Sequence, residues 1–567
     1  MWCPILTHIL LLSINLASIV QGQAQTKTVY LDQGPVRGFR DPTFDLFAFR
    51  GVPYAMEPKG ENKYKAPLPA PTWTETFDAV ASWNMCPQPL FSLPGLIPDN
   101  CLVANIYVPD TEATNLPVLV MVHGGGYTAG FGDYTQPKSL VNSKRIIAVS
   151  VNYRLGVHGF LCLGTESIPG NAGLKDQAAA IRWVSDNIAK FGGNPNDITF
   201  TGFSGGSCNV NLHLLSKMSR GLFQKLIPES LSDISPLSTQ LDPIENAKKV
   251  ARYFSSSLDV DDFKSLEDFF VQLPVTEFVK ISIGAGPDYN IPMAPCVEKD
   301  IGLPRFLEAS PYSIIKSKDY PKVPKLEGFT NMEGLLEKTY FESRYPEMNE
   351  DFSLFLPADL QFESKEQKDE VARQVKQFYF GNKDVGPDTS IQYFEYYSDI
   401  GFSMPILRSI KLHLEAGLDT YYLYEYAFVD EDTPYIPYTY ERGADHVDQT
   451  YAIYEAPFDK IGSEEYQQMR ATLRELWLNF ITDGQPVLQS SESTPAWPKL
   501  QKLNSPYMLL NQTLTVHNDL LQRKFDFWEK IYDKHYREPQ PPNNGTQYFY
   551  FSLLTLISSF LVIWGIN

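Results

Sequence analysis

Residues 198–210 read ITFTGFSGGSCNV, a β-like run from Ile198 to Thr201 that breaks into glycines around one serine. Gly202-Phe203-Ser204-Gly205-Gly206, followed by the helix-compatible GSCNVNLHLLSKM, is G-x-S-x-G at a sharp strand-to-helix turn. Such a turn lifts the serine hydroxyl out of a sheet. Bulk at Gly202 or Gly206 would collide with neighbouring backbone, so small residues are required there. A serine hydroxyl is a weak nucleophile at neutral pH. The reading therefore demands a histidine base, an acid that orients it, and hydrogen-bond donors for an oxyanion.

Working outward, LPVLVMVHGGGYTAG (116–130) is a continuous apolar run ending in glycines, as expected of a strand buried on both faces that opens into a functional loop. RIIAVSVNYRLG (145–156) is a second such run, and DQAAAIRWVSDNIAKFGG (176–193) sets Ile181, Val184 and Ile188 at helical spacing before a glycine stop. FQKLIPES (223–230) returns to strand. The alternation predicts an α/β fold with a mainly parallel sheet covered by helices, whose ligands bind beyond the carboxyl ends of the strands. Both glycine-rich loops fall at those ends.

Farther on, YPKVPKLEGFTNMEGLL (320–336) gives a short strand and a loop bearing Glu333, and the amphipathic SMPILRSIKLHLEAG (403–417) precedes the aromatic strand LDTYYLYEYAF (418–428). ERGADHVDQTYAIYEAPF (441–458) then presents His446 in a polar loop. Pro236 to Glu370 reads as an insertion over the site. The 567-residue chain has 43% hydrophobic and 13% aromatic residues, enough for a large core in one expanded domain. Its formal charge of −19 argues against a nucleic-acid partner, because nothing offsets phosphate repulsion.

The start, MWCPILTHILLLSINLASIVQGQAQT, has an apolar stretch from about Ile5 to Val20 and then small and polar residues, which predicts a signal peptide over residues 1–22. A domain over 23–537, a polar Pro-rich stalk over 538–547 and an apolar tail over 548–567 complete the expected organisation. The tail lacks charge from Tyr548 to Ile566, and only Asn567 follows it. A retained span normally ends in cytoplasmic Lys or Arg, so the tail reads as a GPI signal ahead of a transmembrane anchor; either makes a membrane partner. Asn511 and Asn544 stand in glycosylation sequons.

Without Cys3, five cysteines remain, an odd set for an oxidising compartment, so at least one is unpaired or pairs outside the chain. Cys86 and Cys101 flank CPQPLFSLPGLIPDNC, a short closure that a disulfide can staple, and Cys208 reads as a buried inert thiol.

His123-Gly124-Gly125-Gly126 directly follows a predicted strand, where glycines let backbone amides approach an oxyanion; the third amide falls at Gly205. Among the histidines only His446 follows a late strand with a glutamate loop before it, in the order Ser, acid, His. Asp448, two residues on, is the rival acid.

On FAFRGVPYAMEPKG, DNCLVANIYVP, VHGGGY, VNYRLGVHGFL, PGNAGLKDQAAAIRWV, FGGNPNDITFTGFSGGS, TNMEG and GADHVDQTY, the chain resembles the type-B carboxylesterases, the α/β-hydrolase group that includes the cholinesterases. The resemblance implies the α/β-hydrolase fold, with helical and loop insertions over the site. It implies a serine carboxylesterase acting on small-molecule esters without cofactor or metal: Ser204 as nucleophile, His446 as base, Glu333 as acid, and Gly125, Gly126 and Gly205 as oxyanion hole. Cys86 with Cys101 would be the family's first disulfide, while the second has no evident counterpart between residues 230 and 290. Phe203 stands where the family often has glutamate, Gly205 where alanine is usual, and IPESLS replaces an SQSG-like strand end; none removes a required group. Cholinesterases hold a choline-binding tryptophan inside the first cysteine loop, and none lies between Cys86 and Cys101. Esterase-like adhesion proteins of the neuroligin and neurotactin kind share the resemblance. The intact Ser204, Glu333 and His446 set favours the enzyme over that alternative.

Overall fold

The computed structural model describes residues 25–81, 84–89, 98–280, 284–456, 462–488, 495–503 and 505–543. Its frame is one sheet of thirteen strands: β1 (Thr26–Leu31), β2 (Gly34–Arg40), β3 (Leu46–Pro53), β4 (Phe77–Asp78), β5 (Val103–Pro109), β6 (Leu116–Val122), β7 (Ile147–Val151), β8 (Gly193–Phe203), β9 (Lys225–Glu229), β10 (Lys325–Thr330), β11 (Tyr421–Tyr426), β12 (Tyr507–Leu510) and β13 (Leu514–His517). The order is β1-β2-β3-β5-β7-β6-β8-β9-β10-β11-β12-β13, with β4 beside β2. From β7 to β12 every pairing is parallel, while β1, β2, β3 and β5 on one side and β13 on the other pair antiparallel.

The central strands are apolar throughout because both faces are covered. Along β6 the side chains alternate. Val118, Val120 and Val122 face the core built with the helices Ala172–Asn187 and Gly205–Leu215, while Leu119 and Met121 face the one built on Trp477 and Leu473 of helix Glu464–Asp483. β7 repeats this, with Val149 on the first side and Ala148 on the second. A hydrophobic run with no polar stripe thus fixes a strand in the middle of the sandwich, and the α/β-hydrolase arrangement expected from the sequence is the one observed.

The stretch expected to be an insertion is not uniform. Helices Pro243–Phe254, Phe263–Gln272 and Phe341–Glu350 lie within it, but so does β10, a core strand paired on both sides. The added material is therefore two segments hung on the sheet, because the loop carrying Glu333 must start from a strand inside the frame.

Cys86 is bonded to Cys101 (Cα–Cα 4.9 Å), and Cys162 to Cys296 across 134 residues of sequence. The second bridge is a pairing the sequence left open, and it lies outside the 230–290 window, where the family's second disulfide has no counterpart in this chain. Cys208 is free and buried, and burial pushes its thiol up to about 12.

At the carboxyl end, Arg537 pairs with Asp242, Glu538 accepts hydrogen bonds from the Ser310 and Ser313 hydroxyls, and Pro542 is buried next to Gly164. The first residues of the expected stalk, 538–542, thus pack on the domain. The expected signal peptide, the apolar tail and Asn544 lie outside the described residues. Among the described residues no helix is long and apolar enough to cross a membrane.

Candidate active site

Ser204 follows β8 directly, and its backbone sits at φ 54°, ψ −129°, a sparsely populated conformation maintained only by surrounding structure. What enforces it is backbone proximity. A Cβ on Gly202 would lie 2.6 Å from the Gly206 carbonyl oxygen, and one on Gly206 would lie 2.6 Å from that of Val122. The Ser204 amide donates to the Glu229 carbonyl of the adjacent strand (2.9 Å), pinning the turn to the end of β9.

The loop after β6 folds back over this turn. Gly125 has φ +99°, a conformation open to glycine, and the Gly126 amide nitrogen stands 3.2 Å from where a Cβ of Gly205 would be. Among the described residues the amides of Gly125, Gly126 and Gly205 donate to no protein acceptor. Three unspent donors therefore converge beside the serine, one of them at the start of helix Gly205–Leu215. His123 supports the loop from behind: its ring stacks on Tyr153 (4.4 Å), and burial pulls its pKa down to about 4, so it stays neutral.

Glu333 and His446 come from different strands and meet. Glu333 is fully buried three residues past β10, where one carboxylate oxygen accepts from the Thr330 amide (2.8 Å) and the other pairs with His446 Nδ1 (2.5 Å). The His446 backbone is held in turn, its amide donating to Asp445 (2.7 Å). Asp448, the rival acid, instead accepts from the Asp445 amide (2.7 Å). Phe402 packs on the His446 ring (4.9 Å) from a π-helical turn at Asp399–Ser403, a local bulge of the kind found at functional sites.

Ser204, His446, Gly125, Gly126 and Gly205 line one cavity of about 710 Å³. No hydrogen bond joins the Ser204 hydroxyl to the His446 ring here; such contacts commonly close only when substrate is bound. Phe203 also lines the cavity, so an apolar ring stands where the family often has a carboxylate. Among the described residues no cluster of His, Cys, Asp or Glu could hold a metal ion.

Comparison with known proteins gives the family. A profile of the carboxylesterase family matches residues 25–528. The chain belongs to the carboxylesterase family. Esterase FE4 of Myzus persicae is 30% identical over 496 residues, covering 83% of this chain and 86% of the relative, and the juvenile hormone esterase of Tribolium castaneum is 31% identical over 473 residues, covering 77% and 80%. Among solved structures, the juvenile hormone esterase from Manduca sexta with OTFP covalently attached superposes with a TM-score of 0.78 at 25% identity, covering 90% of this chain and all of that one. This carboxylesterase is a carboxylic ester hydrolase. The adhesion alternative finds no support among these relatives.

Sequence reading missed the role of Glu229 in this carboxylesterase, although the IPESLS stretch marks its position. Besides receiving the Ser204 amide at its carbonyl, it accepts at its carboxyl from Thr450 Oγ1 (2.6 Å) and Trp477 Nε1 (3.3 Å). Its neighbour Ser230 accepts from Gln449 (2.9 Å), so two adjacent residues grip the helix Asp448–Ile453 that starts just past His446. Complete burial raises the Glu229 carboxyl to about 7, against 4.5 when solvated. A raised folded-state pKa gives stability that is full below the unfolded value and lost as pH rises through the folded one. Glu229→Gln, which stays neutral, is therefore expected to gain about 3 kcal/mol relative to wild type between pH 4.5 and pH 8. Thermal unfolding of both proteins across that range checks this, and a Tm difference independent of pH would refute it.

Proposed function

We propose that this carboxylesterase hydrolyses small-molecule esters through an acyl-enzyme on Ser204. The observation that carries the reading is the convergence, in one cavity, of a strained serine, three undonated amides and a histidine whose Nδ1 is engaged by a buried glutamate. With Nδ1–H directed at Glu333, Nε2 is the free basic nitrogen. It takes the Ser204 proton as Oγ bonds to the ester carbonyl carbon, and the carbonyl oxygen becomes an oxyanion facing the amides of Gly125, Gly126 and Gly205. Collapse breaks the bond to the alcohol oxygen, which leaves with the proton returned by His446. Water then repeats the sequence on the acyl-enzyme, releasing the carboxylic acid and restoring Ser204. Glu333 stabilises the imidazolium present in each half-reaction. The covalent attachment recorded for the Manduca sexta enzyme supports covalent chemistry in this fold. An organophosphate should label the protein at one equivalent, with the modified peptide containing Ser204. A modified peptide elsewhere would overturn the assignment.

The same reading takes the protein through the secretory pathway, with residues 1–22 removed, a domain over 23–537, and a glycan at Asn511; the Asn544 sequon is consumed or cut where GPI attachment falls at Asn543 or Asn544. Two disulfides, which persist in oxidising compartments, support it, as does the location of Asn511 at the turn between β12 and β13. The uncharged tail 548–567, beyond the stalk 538–547, acts as a GPI signal. Phosphatidylinositol-specific phospholipase C should then release esterase activity from intact cells; activity that stays with the membrane argues for a retained span.

A further inference from the structure

One part of the cavity wall is polar where its surroundings are not. Leu231, Leu237, Ala285, Ile291 and Phe402 line the cavity, and so do Tyr289, Glu337 and Arg344. Arg344 and Glu337 form an ion pair with side chains only 11% and 6% exposed. Among the described residues this is the one closed hydrogen bond of Arg344, and the Tyr393 hydroxyl stands near enough to take a second, which still leaves part of its five N–H donors unspent. The guanidinium lies over the Tyr340 and Tyr397 rings, 4.6 and 5.5 Å from their centroids, so its plane is fixed.

Tyr289 is the second observation. It is 1% exposed, and its hydroxyl, although near Glu337, whose carboxyl burial raises against the opposing pull of Arg344 and this hydroxyl, has no closed hydrogen bond among the described residues. Its backbone is held at φ +61°, unfavourable for a bulky residue, and its ring presses on Gly401, where a Cβ would lie 2.6 Å away. A strained backbone and a close glycine contact thus hold a phenol in the wall of a largely apolar cavity. The phenol is close to the reacting centre: its ring meets Phe402 (5.9 Å), which packs on His446. A buried, unpartnered hydroxyl is unfavourable unless something fills it.

The chemistry of the occupant follows from the charges. The pair is neutral, so a carboxylate would face Glu337 and an ammonium would face Arg344. The free groups are mainly donors: the remaining guanidinium N–H groups and the Tyr289 hydroxyl. We propose that Arg344 and Tyr289, braced by Glu337, form a specificity subsite for an uncharged acceptor oxygen on the substrate, an ether, ketone or second ester oxygen remote from the scissile carbonyl. The assignment rests on Ser204 and His446 being the catalytic centre.

The test uses matched ester pairs in which one chain methylene is replaced by oxygen, moved stepwise along the acyl chain and, in a second series, along the alcohol chain. The ratio of kcat/KM for the oxa ester to that for its all-carbon partner reads the subsite, and hydrolysis of the all-carbon ester lost in Ser204→Ala reads the centre, so the two can fail separately. Wild type should show a peak of about tenfold in that ratio at one oxygen position. Tyr289→Phe, which removes a single oxygen atom, should flatten the peak several-fold. Arg344→Lys, which keeps the ion pair but loses the fork, should do the same. A ratio flat at every position in wild type, or a peak that survives both variants, overturns the subsite.

Discussion

Ser204→Ala is expected to lower kcat by about 10⁴- to 10⁶-fold, because the members of such a set act as a unit. Folding should be spared: no hydrogen bond of the Ser204 hydroxyl is present among the described residues, and the amide contact to Glu229 belongs to the backbone. Thermal unfolding should therefore superpose on wild type while turnover collapses. Residual activity above the uncatalysed rate should survive, since the cavity and the amides of Gly125, Gly126 and Gly205 remain to stabilise an oxyanion formed by attack of water. Wild-type-like turnover in this variant would refute the acyl-enzyme.

Glu333→Gln is expected to cost about 10³- to 10⁴-fold in kcat with little change in stability. The carboxylate meets two donors, the Thr330 amide and His446 Nδ1–H. An amide has one oxygen for them. With that oxygen turned to Thr330, its NH₂ faces Nδ1 and fixes the tautomer protonated on Nε2, which cannot take the serine proton. The matched control is Asp448→Asn, whose carboxylate contact is to the Asp445 backbone, and which should lose far less. A crippled Asp448→Asn beside an active Glu333→Gln would reverse the two assignments.

The parts legible in the sequence share a cause. The turn at Ser204, the loop at His123 and the strands feeding them are encoded within a few residues, by glycines where backbones touch and by unbroken apolar runs where both faces are covered. What escaped reading depends on distant segments. Five cysteines allow many pairings, and nothing in the sequence couples Cys162 to Cys296 across a separation of 134 positions. The polar wall needs Tyr289 from before β10 and the nearby Glu337 and Arg344 from after it, which become neighbours only when the segments around β10 fold over the sheet. Glu229 was visible as an odd residue at a strand end, but its burial depends on Thr450 and Trp477, more than 200 positions away. The antiparallel β1–β3 edge, although built from strands consecutive in sequence, also went unread.

The long disulfide has a consequence for how the molecule comes into being. Its loop encloses β8, Ser204 and β9, while Glu333 and His446 stand outside it. Closing so large a ring removes about 5 kcal/mol of chain entropy from the unfolded state, against about 3 for the short Cys86–Cys101 ring. The segment 162–296, which stores the backbone strain at Ser204, is thus tied off as a covalent circle, and Glu333 and His446 are brought to it from outside the ring. Made in a reducing cytosol, the chain would lack this closure at the stage when the strained turn must be held against relaxation. On the proposed secretory route, an oxidising lumen would in this sense be part of the chemistry of the serine.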